Sequence, residues 1–241
     1  MMLGIWEILF SGASTMYKIQ QILLFALASL IVLFLALPFH EFSHAFIANK
    51  LGDPTARYQG RMKLNPLVHL DPWGSALILI FGFGYAKPVP INPRNFKNPK
   101  RGMALSALAG PVANLILTVI ALILFNVICV IAAPGVKYPF AIPPYVRGAT
   151  VVNVILQVVS YVININVCLA VFNILPVPPL DGSRLLTAFL PDRIYYRIMR
   201  YERYIQIVIL ALLFLGILLP VITFLSGLVL DGLSWLVNLP F

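Results

Sequence analysis

The sequence predicts an all-α polytopic membrane protein of about five transmembrane helices, with a small membrane-associated β or re-entrant segment between the first two. Three observations carry this. Of 241 residues, 61% are hydrophobic and 10% charged, with a mean hydropathy of +0.94, whereas a soluble domain is nearer half apolar and a quarter charged. The apolar residues fall in long runs, each enough to cross a hydrocarbon core that takes about 20 helical residues. The basic residues collect between the runs. Residues 1–241 read as one membrane-embedded unit, because the spans and their connections use up the length.

Residues 1–16 are apolar but lack the basic start and small-residue cleavage site of a signal peptide, so they are expected to stay attached as an interfacial segment. The apolar run over 19–39 continues into HEFSHAFIANK, which predicts one helix over 17–50, stopped by Gly52, Asp53 and Pro54. Residues 52–102 are irregular. Their apolar piece, 73–85, is rich in glycine and too short to span, which suggests a re-entrant or strand segment. In the following Tyr-Ala-Lys-Pro-Val-Pro-Ile-Asn-Pro, Pro88 and Pro90 alternate and strip one edge of its donors. That pattern reads as an edge strand. Spans follow over 103–133 and 149–175. As a single helix 204–239 would be about 54 Å long, so Pro220 is expected to divide it into spans over 204–219 and 221–239.

Charge sets the topology. Nine Lys and Arg residues lie in 50–101 and five in 182–203, leaving Lys18, Lys137 and Arg147 elsewhere. These two basic connections are separated by two spans, so the positive-inside rule places both on the cytoplasmic side and the N-terminus outside. The formal net charge of +9 therefore marks orientation, and no nucleic-acid partner is expected. Cys129 and Cys168 sit in apolar runs, where a small buried side chain is expected rather than a disulfide or metal ligand.

His40-Glu41-Phe42-Ser43-His44 is the strongest local signal. On a helix, histidines at i and i+4 share a face and can reach one Zn²⁺, while the glutamate can take a proton from an attacking water. Its place at the end of an apolar helix adds weight, because ionisable groups in lipid are costly unless paired or ligated. A catalytic zinc has three protein ligands and an open position. Asp181, in Asn173-Ile-Leu-Pro-Val-Pro-Pro-Leu-Asp181-Gly182, fits a third ligand and equally a turn or cap aspartate before glycine. His40 and His44 lie about 15 and 9 Å inward of Lys50 along their helix. Asp181 is three residues from Arg184, so all three can meet just below the cytoplasmic surface. Intramembrane histidines and carboxylates also line ion pathways, which keeps a metal-ion transporter or sensor, or an inactive scaffold, as the alternative reading.

With HEFSH on an early span and NxxPxPPLDG on a later one, the chain resembles the site-2 protease family of intramembrane zinc metalloproteases. The segment Leu108-Ala-Gly-Pro-Val-Ala-Asn114 resembles that family's middle motif. The stretch from Gly60 to Pro72 and the following Ala-Lys-Pro-Val-Pro resemble its compact branch, without a PDZ-like insertion. The likeness runs from about residue 35 to 190. It implies one Zn²⁺ per chain held by His40, His44 and Asp181, with Glu41 as general base and Asn173 near the substrate backbone. Asn114 fits either support behind the ligands or an interhelical hydrogen bond. His69 fits either a group that polarises the scissile carbonyl or a structural loop histidine. Asp231, on which the family pattern is silent, caps a helix or marks an intramembrane function. The implied partners are a single-span, membrane-tethered regulatory protein as substrate and the lipid bilayer, in a prokaryotic inner membrane; the oligomeric state is left open.

Overall fold

The computed structural model describes residues 5–82, 84–132 and 150–238; Lys137 and Arg147 fall outside them. The described residues are helical, with no strand among them. Four helices are long and apolar enough to cross a membrane: α2 (Thr15–Lys50), α5 (Pro99–Ala132), α6 (Thr150–Ile174) and α10 (Leu219–Asn238). The first three form the centre of the bundle, each packed on the other two. A short α1 (Ile5–Phe10) precedes them and inserts Ile8 into a core shared by Leu24, Phe25, Ala28 and Val32 of α2 and Val158, Ile165 and Leu169 of α6.

Helix α2 is one rod with a wide turn inside it. Pro38 has no N–H to give and its ring would meet the carbonyl of Phe34 in a regular helix. The backbone answers with a π-helical turn over Val32–Ala36, in which the Leu37 N–H bonds the Val32 carbonyl. The extra residue rotates everything downstream by about 100°. Upstream of the turn the helix packs on α6; downstream it packs on α5.

The glycine-rich piece after residue 72 is a helix, not a strand. After a one-turn α3 (Thr55–Tyr58), α4 (Pro72–Phe81) starts at Asp71, whose Oδ1 accepts from the N–H groups of Trp73 and Gly74 at 3.0 and 2.9 Å, and has Pro72 at its first position. It stops at Gly82, which takes the left-handed φ of 76° that favours glycine. Gly74 serves a close approach: a Cβ there would stand 1.9 Å from the Tyr85 carbonyl oxygen. Ten residues make about 15 Å of helix, so α4 packs beside α2 without crossing. Residues 84–92 run on without helix. The prolines hold the residues before them in extended conformations, but no second strand pairs with this segment among the described residues.

Among the described residues four helices are long enough to span, against the five expected. α9 (Glu202–Phe214) has 13 residues, about 20 Å against a core of about 30 Å. The break after it falls at Gly216, with φ 73°, and not at Pro220. Pro220 instead occupies the second position of α10, where a missing N–H costs nothing. Between α6 and α9 lie two short helices, α7 (Asp181–Leu185) and α8 (Asp192–Met199).

A buried carboxylate ties the end of α2 to the non-helical segment. Asp53 accepts from the N–H and hydroxyl of Thr55, from the Asn95 side chain at 2.7 Å and from the Asn92 N–H at 2.7 Å. Burial alone would raise its carboxyl, but these donors outweigh it and hold the group below the usual range. A carboxylate whose folded value is depressed stabilises above the unfolded value of about 3.9 and loses that contribution as pH falls through the folded value. Asp53→Ala is therefore expected to cost about 3 kcal/mol at pH 7. Thermal unfolding in detergent should show the gap between wild type and variant closing below about pH 4.

Candidate metal centre

Three elements bring the ligand atoms together. On α2, the one-turn spacing of His40 and His44 sets their imidazoles edge to face on the side turned to α5, and Ala45 and Ala48 keep the helix close to its neighbours. α5 contributes a hole at Gly110. A Cβ built there would lie 2.3 Å from His44 Nε2 and 2.5 Å from His40 Nε2, so glycine is what lets the two rings occupy this space. Asp181 arrives from the far side as the first residue of α7. Its neighbour Gly182 lets α7 press on the end of α6, since a Cβ there would be 2.0 Å from the Ile174 carbonyl oxygen.

The result is a tight triangle. His40 Nε2 and His44 Nε2 are 3.0 Å apart, and each is 3.2 Å from Asp181 Oδ2. His44 Nδ1 lies 2.7 Å from the Ser106 carbonyl oxygen. A carbonyl only accepts, so Nδ1 carries the proton and Nε2 is left as a bare acceptor facing the triangle. Acceptor atoms this close repel unless a cation lies among them. A tetrahedral Zn²⁺ with ligands at 2.0–2.2 Å sets its ligand atoms about 3.3 Å apart, which these residues match. Among the described residues this is the one cluster able to hold a metal ion.

Glu41, beside the first histidine, is buried and does not join the triangle. Its Oε2 accepts from the Val89 N–H at 3.0 Å, so the non-helical segment reaches the carboxylate directly. Glu41, Asn114 and Asn173 line the same cleft as the three ligands. Asn114 is buried one turn beyond Gly110, and its Oδ1 has no partner among the described residues. Asn173 donates from Nδ2 to the Leu169 carbonyl at 3.0 Å. His69 is elsewhere. It is fully buried, its Nε2 faces the Lys63 carbonyl oxygen at 2.7 Å, and its own carbonyl accepts from the Lys87 N–H at 2.8 Å. The structure thus places His69 beneath the non-helical segment rather than in the cleft. Asp231 lies exposed on α10 and does not line the cleft.

Comparison with known proteins agrees with this geometry. A match to Peptidase family M50 covers residues 28–219, which include all three ligands and Glu41. The chain belongs to peptidase family M50. It is 41% identical over 182 residues to a Bacillus subtilis (strain 168) protein named "Putative zinc metalloprotease YwhC", covering 76% of this chain and 78% of that one. It is 29% identical over 153 residues to "Putative zinc metalloprotease Rip2" of Mycolicibacterium smegmatis, covering 61% of this chain and 51% of that one. No solved structure matches. The M50 chain is therefore an integral membrane metalloprotease of the site-2 type with zinc as its cofactor. Sequence reading missed three members of the site: Gly110, the Ser106 carbonyl and the Val89 N–H. Only Gly110 carried a signal, as a glycine inside a long helix, which is kept at a cost of about 1 kcal/mol only when packing demands it.

Proposed function

We propose that this protein is an intramembrane endopeptidase that hydrolyses a peptide bond within or near the transmembrane helix of a membrane-tethered regulatory protein. The observation that carries the reading is the triangle of His40, His44 and Asp181 beside an uncommitted Glu41 oxygen, all in one cleft at the end of an apolar helix. In this reading the membrane is a prokaryotic inner membrane, with the cleft on its cytoplasmic side and the N-terminus outside, an orientation that the basic connections support.

His40, His44 and Asp181 hold the ion, the histidines neutral and the aspartate charged. When bound, Zn²⁺ supplies the Lewis acidity that polarises a carbonyl and acidifies water. Glu41 uses Oε2 to accept the Val89 N–H and keeps Oε1 to take the proton of the attacking water and deliver it to the leaving amine. Asn173 lies near the substrate backbone, and Asn114 supports the ligands from behind.

A helical peptide bond is shielded by its own turn, so cleavage requires local unwinding. The segment over 85–92 stabilises the unwound form by adding it as a strand. Ala86→Pro removes an N–H from that edge and is expected to lower cleavage about tenfold with zinc content unchanged; equal activity would count against strand addition. A proline at Val89 is a poorer test, because that N–H already serves Glu41. Zinc analysis of the purified protein, combined with cleavage of transmembrane peptides, tests the reading as a whole.

A further inference from the structure

A second groove, sharing no lining residue with the metal cleft, runs between the later half of α2 and the first half of α5 and holds about 470 Å³, within the range of ligand sites. Phe39, Phe46 and Ile47 line it from one side and Leu105, Val112 and Ile116 from the other. Phe46, Leu105, Val112 and Ile116 are exposed, so it opens outward from the bundle. Its length and its charge say what fills it. Phe39 to Lys50 and Leu105 to Ile116 each cover about 16 Å of helix, half of a hydrocarbon core about 30 Å thick. That is the depth of one leaflet and too short to seat a spanning helix. Lys50 closes one end, with its Nζ 4.5 Å over the centroid of the Phe46 ring. Arg101 is exposed one turn before Leu105, on the same stripe of α5. Between the ends the hydroxyl of Ser43 is spent on the Phe39 carbonyl at 2.7 Å. The walls therefore suit hydrocarbon, and the end suits an anion.

We propose that this groove binds one anionic phospholipid of the leaflet on the basic side, with an acyl chain lying along Ile47 and Val112 and the phosphate between Lys50 and Arg101. The inference is independent of the endopeptidase reading. Basic side chains at headgroup level attract anionic lipids. A zwitterionic lipid offers the same phosphate but brings its own cation to it, so net charge decides between the two. Phe39 and Ser43 each precede a histidine of the metal centre, so the acyl chain packs on the helix face next to the one that carries His40 and His44. The lipid fills the outside of the same α2–α5 contact whose inside is the histidine pair and Gly110.

The test is native mass spectrometry of the full chain, purified in detergent and exchanged into bilayer discs of phosphatidylcholine with added phosphatidylglycerol. Wild type should retain one phosphatidylglycerol per chain in preference to phosphatidylcholine. Lys50→Ala and Arg101→Ala should each weaken that preference about fivefold, the effect of one basic residue at a headgroup. Arg193→Ala and Arg197→Ala remove exposed charges that do not line the groove and should leave it within about twofold. Val112→Trp keeps both charges but fills the groove, and should lower retention of the lipid about tenfold. Charge and bulk act by separate routes, so a folding defect in one variant, seen as lost melting in detergent, leaves the other to decide. Glycerol phosphate, which carries the head charge without the chain, should not displace the lipid. Equal retention of both lipids by wild type, equal loss from the α8 arginines, displacement by glycerol phosphate or full retention in Val112→Trp would overturn the proposal. So would a dimer that Val112→Trp dissociates, because a second chain would then be the occupant.

Discussion

Glu41→Gln is expected to leave one zinc bound per chain and to lower cleavage of a transmembrane peptide by about 10²–10⁴-fold, the range that a general base contributes. Glutamine keeps the length of the side chain and an oxygen able to accept the Val89 N–H, so the segment over the cleft should stay in place. It cannot accept the water's proton at neutral pH. Metal analysis and single-turnover cleavage on the same preparation separate the two effects. More than a tenth of wild-type activity with full zinc would mean that another group takes the proton. The same variant distinguishes the transport alternative, in which Glu41→Gln changes ion flux and there is no cleavage to lose.

Gly110→Ala should abolish activity by a different route. The added methyl would stand 2.3 and 2.5 Å from the two ligand nitrogens, inside van der Waals contact of both, and the rings are packed too tightly to retreat together. Removing support from behind a metal ligand weakens binding by about 10–100-fold; displacing two ligands at once should exceed that. Alanine at a helix interior is favoured over glycine by about 1 kcal/mol, so the helix itself gains. The expected result is a folded protein that no longer retains zinc through dialysis, with an apo-form melting temperature at or below that of apo wild type because the clash offsets the helix gain. A Gly110→Ala protein that binds and cleaves normally would show that the imidazoles sit elsewhere in the active molecule.

How much of this was readable before folding follows from the range of each interaction. The ligand pair was legible because i, i+4 is a local rule, and Asp181 because its motif stands at the end of a recognisable apolar run. The long helices were legible from apolar length alone. α4 was not, because glycine was weighed as a strand and bend residue while the Asp71-Pro72 start and Gly82 stop, both capping signals, were present in the letters. α9 was read as a span because hydropathy does not register a left-handed break at Gly216. His69 looks like a site residue by type, and only the fold shows its Nε2 and its carbonyl engaged beneath the non-helical segment. The Val89 amide left no trace in composition, since every residue except proline carries one.

The widened turn at Val32–Ala36 sets the two halves of the first long helix at a fixed angular offset. The half before it is answerable to the shape of α6, and the half after it to where the histidines must point. The proline that forces the turn is thus a register lock, giving the ligand pair an azimuth that the membrane-crossing portion does not dictate.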